Sequence, residues 1–132
     1  MSAAEVPGSV SVLDPKANGD LINHLDELLS RAANVNLTSG ASRARFFQIR
    51  GIGECSQFVE PLNPSVGLIV DGVDLSGLAA AANLFDVQQV EVLRGPRGTL
   101  YGANAMAGLI NVVTPDATEA LSGSLQVDAG NY

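Results

Sequence analysis

Residues 90–114, VEVLRGPRGTLYGANAMAGLINVVT, place four glycines, two arginines and a tyrosine between two strand-like apolar runs. Glycine next to a cation is one way for backbone N–H groups and a basic side chain to cradle a phosphate. A P-loop needs GxxxxGK[ST], because lysine must reach the terminal phosphates. Here Leu100 stands where the second glycine is required, and the only lysine of the chain is Lys16. The dinucleotide fingerprint G-x-G-x-x-G starts at Gly51 and Gly53 but meets Ser56 at its third glycine. Neither phosphate motif is complete.

Other chemistry has as little support. No serine sits in a GxSxG elbow, and Asp71 and Asp74 of DGVD lack the spacing of a calcium loop, so they read first as residues that solvate a turn. Cys55 is the sole cysteine, which excludes an intrachain disulfide, and the sole histidine, His24, has no second ligand or base at useful spacing. No enzyme activity, metal site or cofactor is expected. Fourteen acidic residues against seven basic ones give a net charge of -7. That charge repels a phosphate backbone and argues against nucleic acid as a partner. Six of the seven basic residues are arginine. Planar pairing with carboxylates and plain surface solvation both fit that bias.

These residues must be positioned by a chain of 132 residues that is 46% hydrophobic, one ordinary domain by length. Residues 6–13, VPGSVSVL, alternate Val10 and Val12 with Ser9 and Ser11, which predicts a first strand stopped by Asp14-Pro15. In DLINHLDELLSRA, residues 20–32, apolar side chains recur at the 3.6-residue period and predict a helix with Asp20 as its cap and Asn34 as its left-handed end. Residues 38–45 are polar and turn-rich. FFQIRG, residues 46–51, predicts a strand ending at an arginine. SVGLIVDGVD predicts a strand buried on both sides followed by an Asp-Gly turn, and VQQVEVLRG and GLINVVTP predict two more strands. The stretch 75–86 is alanine-rich, at most a helical turn, and far short of the ~20 apolar residues of a membrane-spanning helix. With no signal-like start either, the chain alone is expected to be soluble. Residues 124–129, SLQVDA, alternate strictly, as in a half-wet strand or in a wall strand of a lipid-facing barrel.

Three motifs in order and register, IRG at 49–51, LIVDGV at 68–73 and the 90–114 segment, resemble the plug domain of TonB-dependent outer-membrane receptors. The resemblance extends from about Val6 to Thr114. The sequence departs from the family in having Ala33-Asn34 for Pro-Gly and Ala107-Gly108 for Gly-Gly.

The resemblance implies an α+β fold, a small mixed β-sheet with short helices and long glycine-rich loops that fills the lumen of a large barrel. It implies an N-terminal remnant at 1–5, a plug at 6–121 and the start of a first barrel strand at 122–132, in a chain too short to hold the barrel itself. The whole receptor would reside in the outer membrane of a Gram-negative bacterium and import a siderophore, cobalamin or carbohydrate. Its partners would be its own C-terminal barrel, and TonB through an N-terminal box that residues 1–4 are too few to contain. By position in the motifs, Arg50 and Arg94 would pair with glutamates of the barrel wall, so loss of either would barely change the stability of this chain. Gly51, Asp71, Gly72, Gly95, Pro96, Tyr101, Gly102 and Gly108 would be motif and turn residues. Arg43, Arg45, Gln57 and Asn63 fall in loops where the family contacts substrate. A free-standing periplasmic binding or signalling module is the alternative.

Overall fold

The computed structural model describes residues 9–17, 22, 24–39, 44–54, 63–76, 86–96, 104–119 and 123. The described elements are β1 (Ser9–Leu13), α1 (Leu25–Ser30), β2 (Val35–Ser39), β3 (Ala44–Ile49), β4 (Val66–Val70), β5 (Val73–Asp74), β6 (Gln89–Arg94) and β7 (Gly108–Val113). Five strands form one sheet in the order β1-β6-β7-β4-β5, and β2 and β3 form a separate two-stranded sheet. β4 and β7 run parallel while every other pairing is antiparallel, so the sheet is mixed.

Alternation along β6, β7 and β4 sends side chains to two faces. Val90, Val92, Ile110, Val112, Val66 and Leu68 join Leu25, Leu28 and Leu29 of α1 and Phe47 and Ile49 of β3 in the main core. On the other face Leu93, Leu109 and Ile69 pack with Ala105 and Val10 in a smaller cluster. With a buried residue on both faces of β4, the VGLIV run needs no polar positions, as its composition predicts.

The helix is shorter than the 20–32 periodicity predicts. His24 is extended at φ -121° and ψ 136° and acts as the N-cap without a side-chain hydrogen bond, and Arg31 is the C-cap. Asp20 lies outside the described residues. The apolar stripe is nonetheless buried, since Ile22 and Ala32 reach the core from outside the helix. Burial of the stripe, rather than helix propensity, decides the packing. Asn34 does take the left-handed conformation, φ 60°, but three residues past the C-cap, where it turns the chain into β2.

β2 is the element that the sequence left unassigned. Val35 and Leu37 face the core and Asn36 faces solvent, so the period is two, and pairing with β3 supplies the hydrogen bonds. The turn-rich stretch therefore has strands at both ends, Thr38–Ser39 in β2 and Ala44–Arg45 in β3. β1 forms where alternation predicts it, with its serines and Leu13 on the main-core face and its valines on the other.

Candidate functional site

Tight turns present the motif residues. Val70 pairs with Val73, leaving Asp71 and Gly72 as a two-residue hairpin loop with φ 47° and 84°. Positive φ at both positions is the signature of a type I′ turn, which twists with its strands. IRG builds a second loop of the same kind. Ile49 and Ile52 exchange N–H···O bonds of 2.9 and 3.0 Å across Arg50 and Gly51, at φ 55° and 78°. The Arg50 N–H is held by the Asn34 carbonyl at 2.9 Å, and its side chain is exposed. The turn thus fixes an outward arginine next to a fully buried isoleucine.

Arg94 is placed differently. Only 7% of it is exposed, and its guanidinium donates to neutral oxygens of this chain: Nε and Nη2 to the Ala33 carbonyl at 3.2 and 2.8 Å, Nη1 to Ser11 Oγ at 2.8 Å and Ser9 Oγ at 3.4 Å. Register explains this, because Arg94 pairs with Ser9 and shares the main-core face with Ser9 and Ser11. The expectation that losing Arg94 would leave this chain almost unchanged is therefore revised. Its side chain ties β1 and the α1–β2 junction to β6. Sequence reasoning missed Ser9 and Ser11; their spacing by two was the available signal, but their partner lies more than eighty residues away.

Gly108 stands opposite Arg94 on β7. A Cβ there would meet the Leu93 carbonyl oxygen at 2.5 Å and Ile49 Cδ1 at 2.6 Å, so the motif glycine allows β3 to close over the sheet. Its neighbour Ala107, the departure from Gly-Gly, is accommodated: it is buried, its N–H donates to Ser65 O at 2.8 Å and its carbonyl accepts from Gly95 N–H at 3.0 Å. Gly95 has φ 99° and Pro96 is exposed.

Two aspartates of the DGVD turn act as acceptors. Asp71 takes the Thr114 N–H at 2.9 Å and the Thr114 hydroxyl at 2.8 Å, fastening the hairpin turn to the end of β7. Those bonds, the backbone one foremost, hold its carboxyl below the usual range. Asp74 accepts from the Ser76 hydroxyl and N–H and from Asn104 Nδ2 at 3.0 Å. The Ser76 hydroxyl is the main cause of its lowered pKa, against a smaller opposing effect of burial. Both carboxylates thus have structural partners, and among the described residues there is no group of three or more His, Cys, Asp or Glu that could hold a metal ion.

Of the residues expected near a substrate, Asn63 is exposed beside buried Pro64, and Arg45 lies in β3. Arg43 and Gln57 lie outside the described residues, as do Tyr101, Gly102 and the predicted strand at 124–129. Glu54, which sequence reasoning did not single out, accepts the N–H and hydroxyl of Ser65, each at 2.7 Å, joining the two ends of the 55–64 segment.

A family model described as TonB-dependent Receptor Plug Domain matches residues 2–109. The chain is 37% identical over 120 residues to the pesticin receptor of Yersinia pestis, covering 89% of this chain and 17% of that protein. It is 27% identical over 135 residues to the vitamin B12 transporter BtuB of Vibrio vulnificus, covering 97% of this chain and 21% of the transporter. Among solved structures, the ferric yersiniabactin uptake receptor FyuA from Yersinia pestis aligns with a TM-score of 0.68 and 36% identity, over 83% of this chain and 17% of that one. The chain thus spans about one fifth or less of the length of these relatives.

Proposed function

From its membership in the TonB-dependent receptor plug domains, to which this chain belongs, we propose that it closes the lumen of an outer-membrane β-barrel carried by the same protein and gates TonB-driven uptake of a small substrate. The observation that carries this reading is the match over residues 2–109, within which IRG and DGV build two-residue turns, one at the end of the two-stranded sheet and one in the five-stranded sheet. Relatives named for pesticin, ferric yersiniabactin and vitamin B12 support a siderophore or cobalamin as substrate, the iron chelate first because the identity to those receptors is higher. A carbohydrate is the remaining class.

In this setting Arg50, outward on a rigid turn, is the arginine best placed to pair bidentately with a carboxylate of the barrel wall. Arg94 reaches such a partner only through the small exposed part of its side chain, while its N–H groups tie β6 to β1 and to the Ala33 carbonyl. Arg43, Arg45, Gln57 and Asn63 are the proposed substrate contacts, and TonB is the proposed source of force through a segment preceding β1.

The test is electrical and uses the full-length receptor. In planar bilayers the intact protein should stay closed and a variant lacking residues 6–121 should show a large, steady conductance. In cells, uptake of a labelled ferric chelate should require both the receptor and TonB. Equal conductance with and without residues 6–121 would refute the plug reading.

A further inference from the structure

Asp71 and Gly72 form an exposed two-residue loop, followed by Val73 at 59% exposure. A Cβ built on Gly72 would meet nothing within 4 Å beyond its chain neighbours, so among the described residues the loop lies in open space.

An aspartate followed by glycine carries a reaction of its own. The Gly72 nitrogen attacks Cγ of Asp71 and closes a five-membered imide, while the N–H proton and the carboxyl hydroxyl leave together as water. A second water opens the ring. Cleavage of the Cγ–N bond restores aspartate; cleavage between the nitrogen and the main-chain carbonyl carbon leaves the chain running through Cβ and Cγ, an isoaspartate. The sum is an isomerisation, with no oxidant, reductant or cofactor. Glycine favours the attack because no Cβ shields its nitrogen.

The fold restrains this turn at the group under attack. Asp71 Oδ1 accepts the Thr114 N–H at 2.9 Å and Oδ2 accepts the Thr114 hydroxyl at 2.8 Å, so both oxygens are engaged. The Asp71 N–H donates to the Val112 carbonyl at 3.1 Å, which ties the main chain of the same residue to the end of β7. Two donors limit rotation of the carboxyl toward the Gly72 nitrogen. They also favour the ionised form, the poorer electrophile. Ring closure therefore waits for a local opening that separates the turn from β7.

We propose that Asp71-Gly72 is an isomerisation site, closed by Thr114 and opened each time the end of β7 releases the turn. Isoaspartate adds one backbone atom to a two-residue loop and shortens the arm that carries the carboxylate by one methylene. The product does not fit the β4–β5 turn with both Thr114 bonds kept, so each event makes a passing release permanent. The DGV turn is then detached from the strand that leads out of the sheet at Thr114. The site depends on this turn and β7 alone, not on the plug reading.

The test incubates the 132-residue chain and a short peptide, IVDGVDL, at one mildly acidic pH. Isoaspartate at 71 is read by peptide mapping with electron-transfer fragmentation, which separates it from the product of the Asn18-Gly19 pair. The folded chain should isomerise more slowly than the peptide by about tenfold or more. Thr114→Val should raise the rate in the chain by about tenfold, the factor for losing one hydrogen bond to a charged group, and Thr114→Ser should stay at the parental rate. A further measurement needs no variant. Urea below the unfolding transition should speed hydrogen exchange of the Thr114 amide and isomerisation at Asp71 by the same factor. Equal rates in chain and peptide, equal rates in the parent and a folded Thr114→Val, or isomerisation that stays constant while the Thr114 amide opens would each overturn the proposal.

Discussion

Arg94 donates from Nη1 to the Ser11 hydroxyl at 2.8 Å across the β6–β1 pair, joining the first described strand to the glycine-rich motif. The same guanidinium reaches the Ala33 carbonyl with two further N–H groups. Among the described residues this buried cation has neutral acceptors alone, which leave much of its desolvation cost in place, so each of these bonds matters for holding it.

Arg94→Ala in the isolated chain should therefore lower the unfolding free energy by about 2–4 kcal/mol, the range for losing hydrogen bonds to a buried charge together with its packing. Ser11→Ala should cost about 1–2 kcal/mol by leaving one guanidinium donor without its acceptor. Urea denaturation of both single variants and the double variant checks this. The two losses should be non-additive, because they remove the same contact.

Arg50→Ala should behave in the opposite way. Its side chain is exposed on a turn whose geometry rests on backbone bonds, so the isolated chain should change by less than about 0.5 kcal/mol. In the full-length receptor the same substitution should raise the open fraction of the channel. Conductance and urea unfolding, run on the same variant, separate the two effects.

Gly108→Ala should destabilise the chain by about 1–3 kcal/mol, since the added methyl would sit 2.5 Å from a carbonyl oxygen of β6. Ile49→Val should not rescue it. The nearer obstacle is the Leu93 backbone rather than the isoleucine side chain. Thermal unfolding of the single and double variants is the measurement.

Acid should loosen the Asp71–Thr114 fastening. The folded-state pKa of Asp71 is lowered, so its contribution is fully present above the unfolded value, about pH 3.9, and is lost as pH falls through the lowered folded value. Asp74 acts in the same direction. Stability measured by urea from pH 5 downward should fall less steeply for Asp71→Asn than for the parent. Thr114→Val, which keeps the backbone N–H, should retain part of the slope.

Local structure and family membership were legible from residue types and their spacing. β-branched runs at 66–70, 89–94 and 108–113 could form only strands, Asp71-Gly72 could form only a tight turn between them, and IRG, DGV and LRGP in register carried the resemblance. Side-chain period and turn chemistry act over a few residues, so they are visible in one dimension.

Long-range pairing settled what residue types alone did not. β2 exists because β3 pairs with it, although VNLTS has only two apolar residues to declare it. The predicted long helix is cut to Leu25–Ser30 while its apolar stripe stays buried, because core contacts can be made by residues outside the helix. Most of all, the two arginines flanked by glycine look alike in sequence and end in opposite environments. Arg50 is turned outward by a two-residue hairpin, and Arg94 is turned inward by a strand register that places Ser9 and Ser11 beside it. Which side of a sheet a residue faces depends on the register of strands far apart in the chain, and only the folded structure fixes that register.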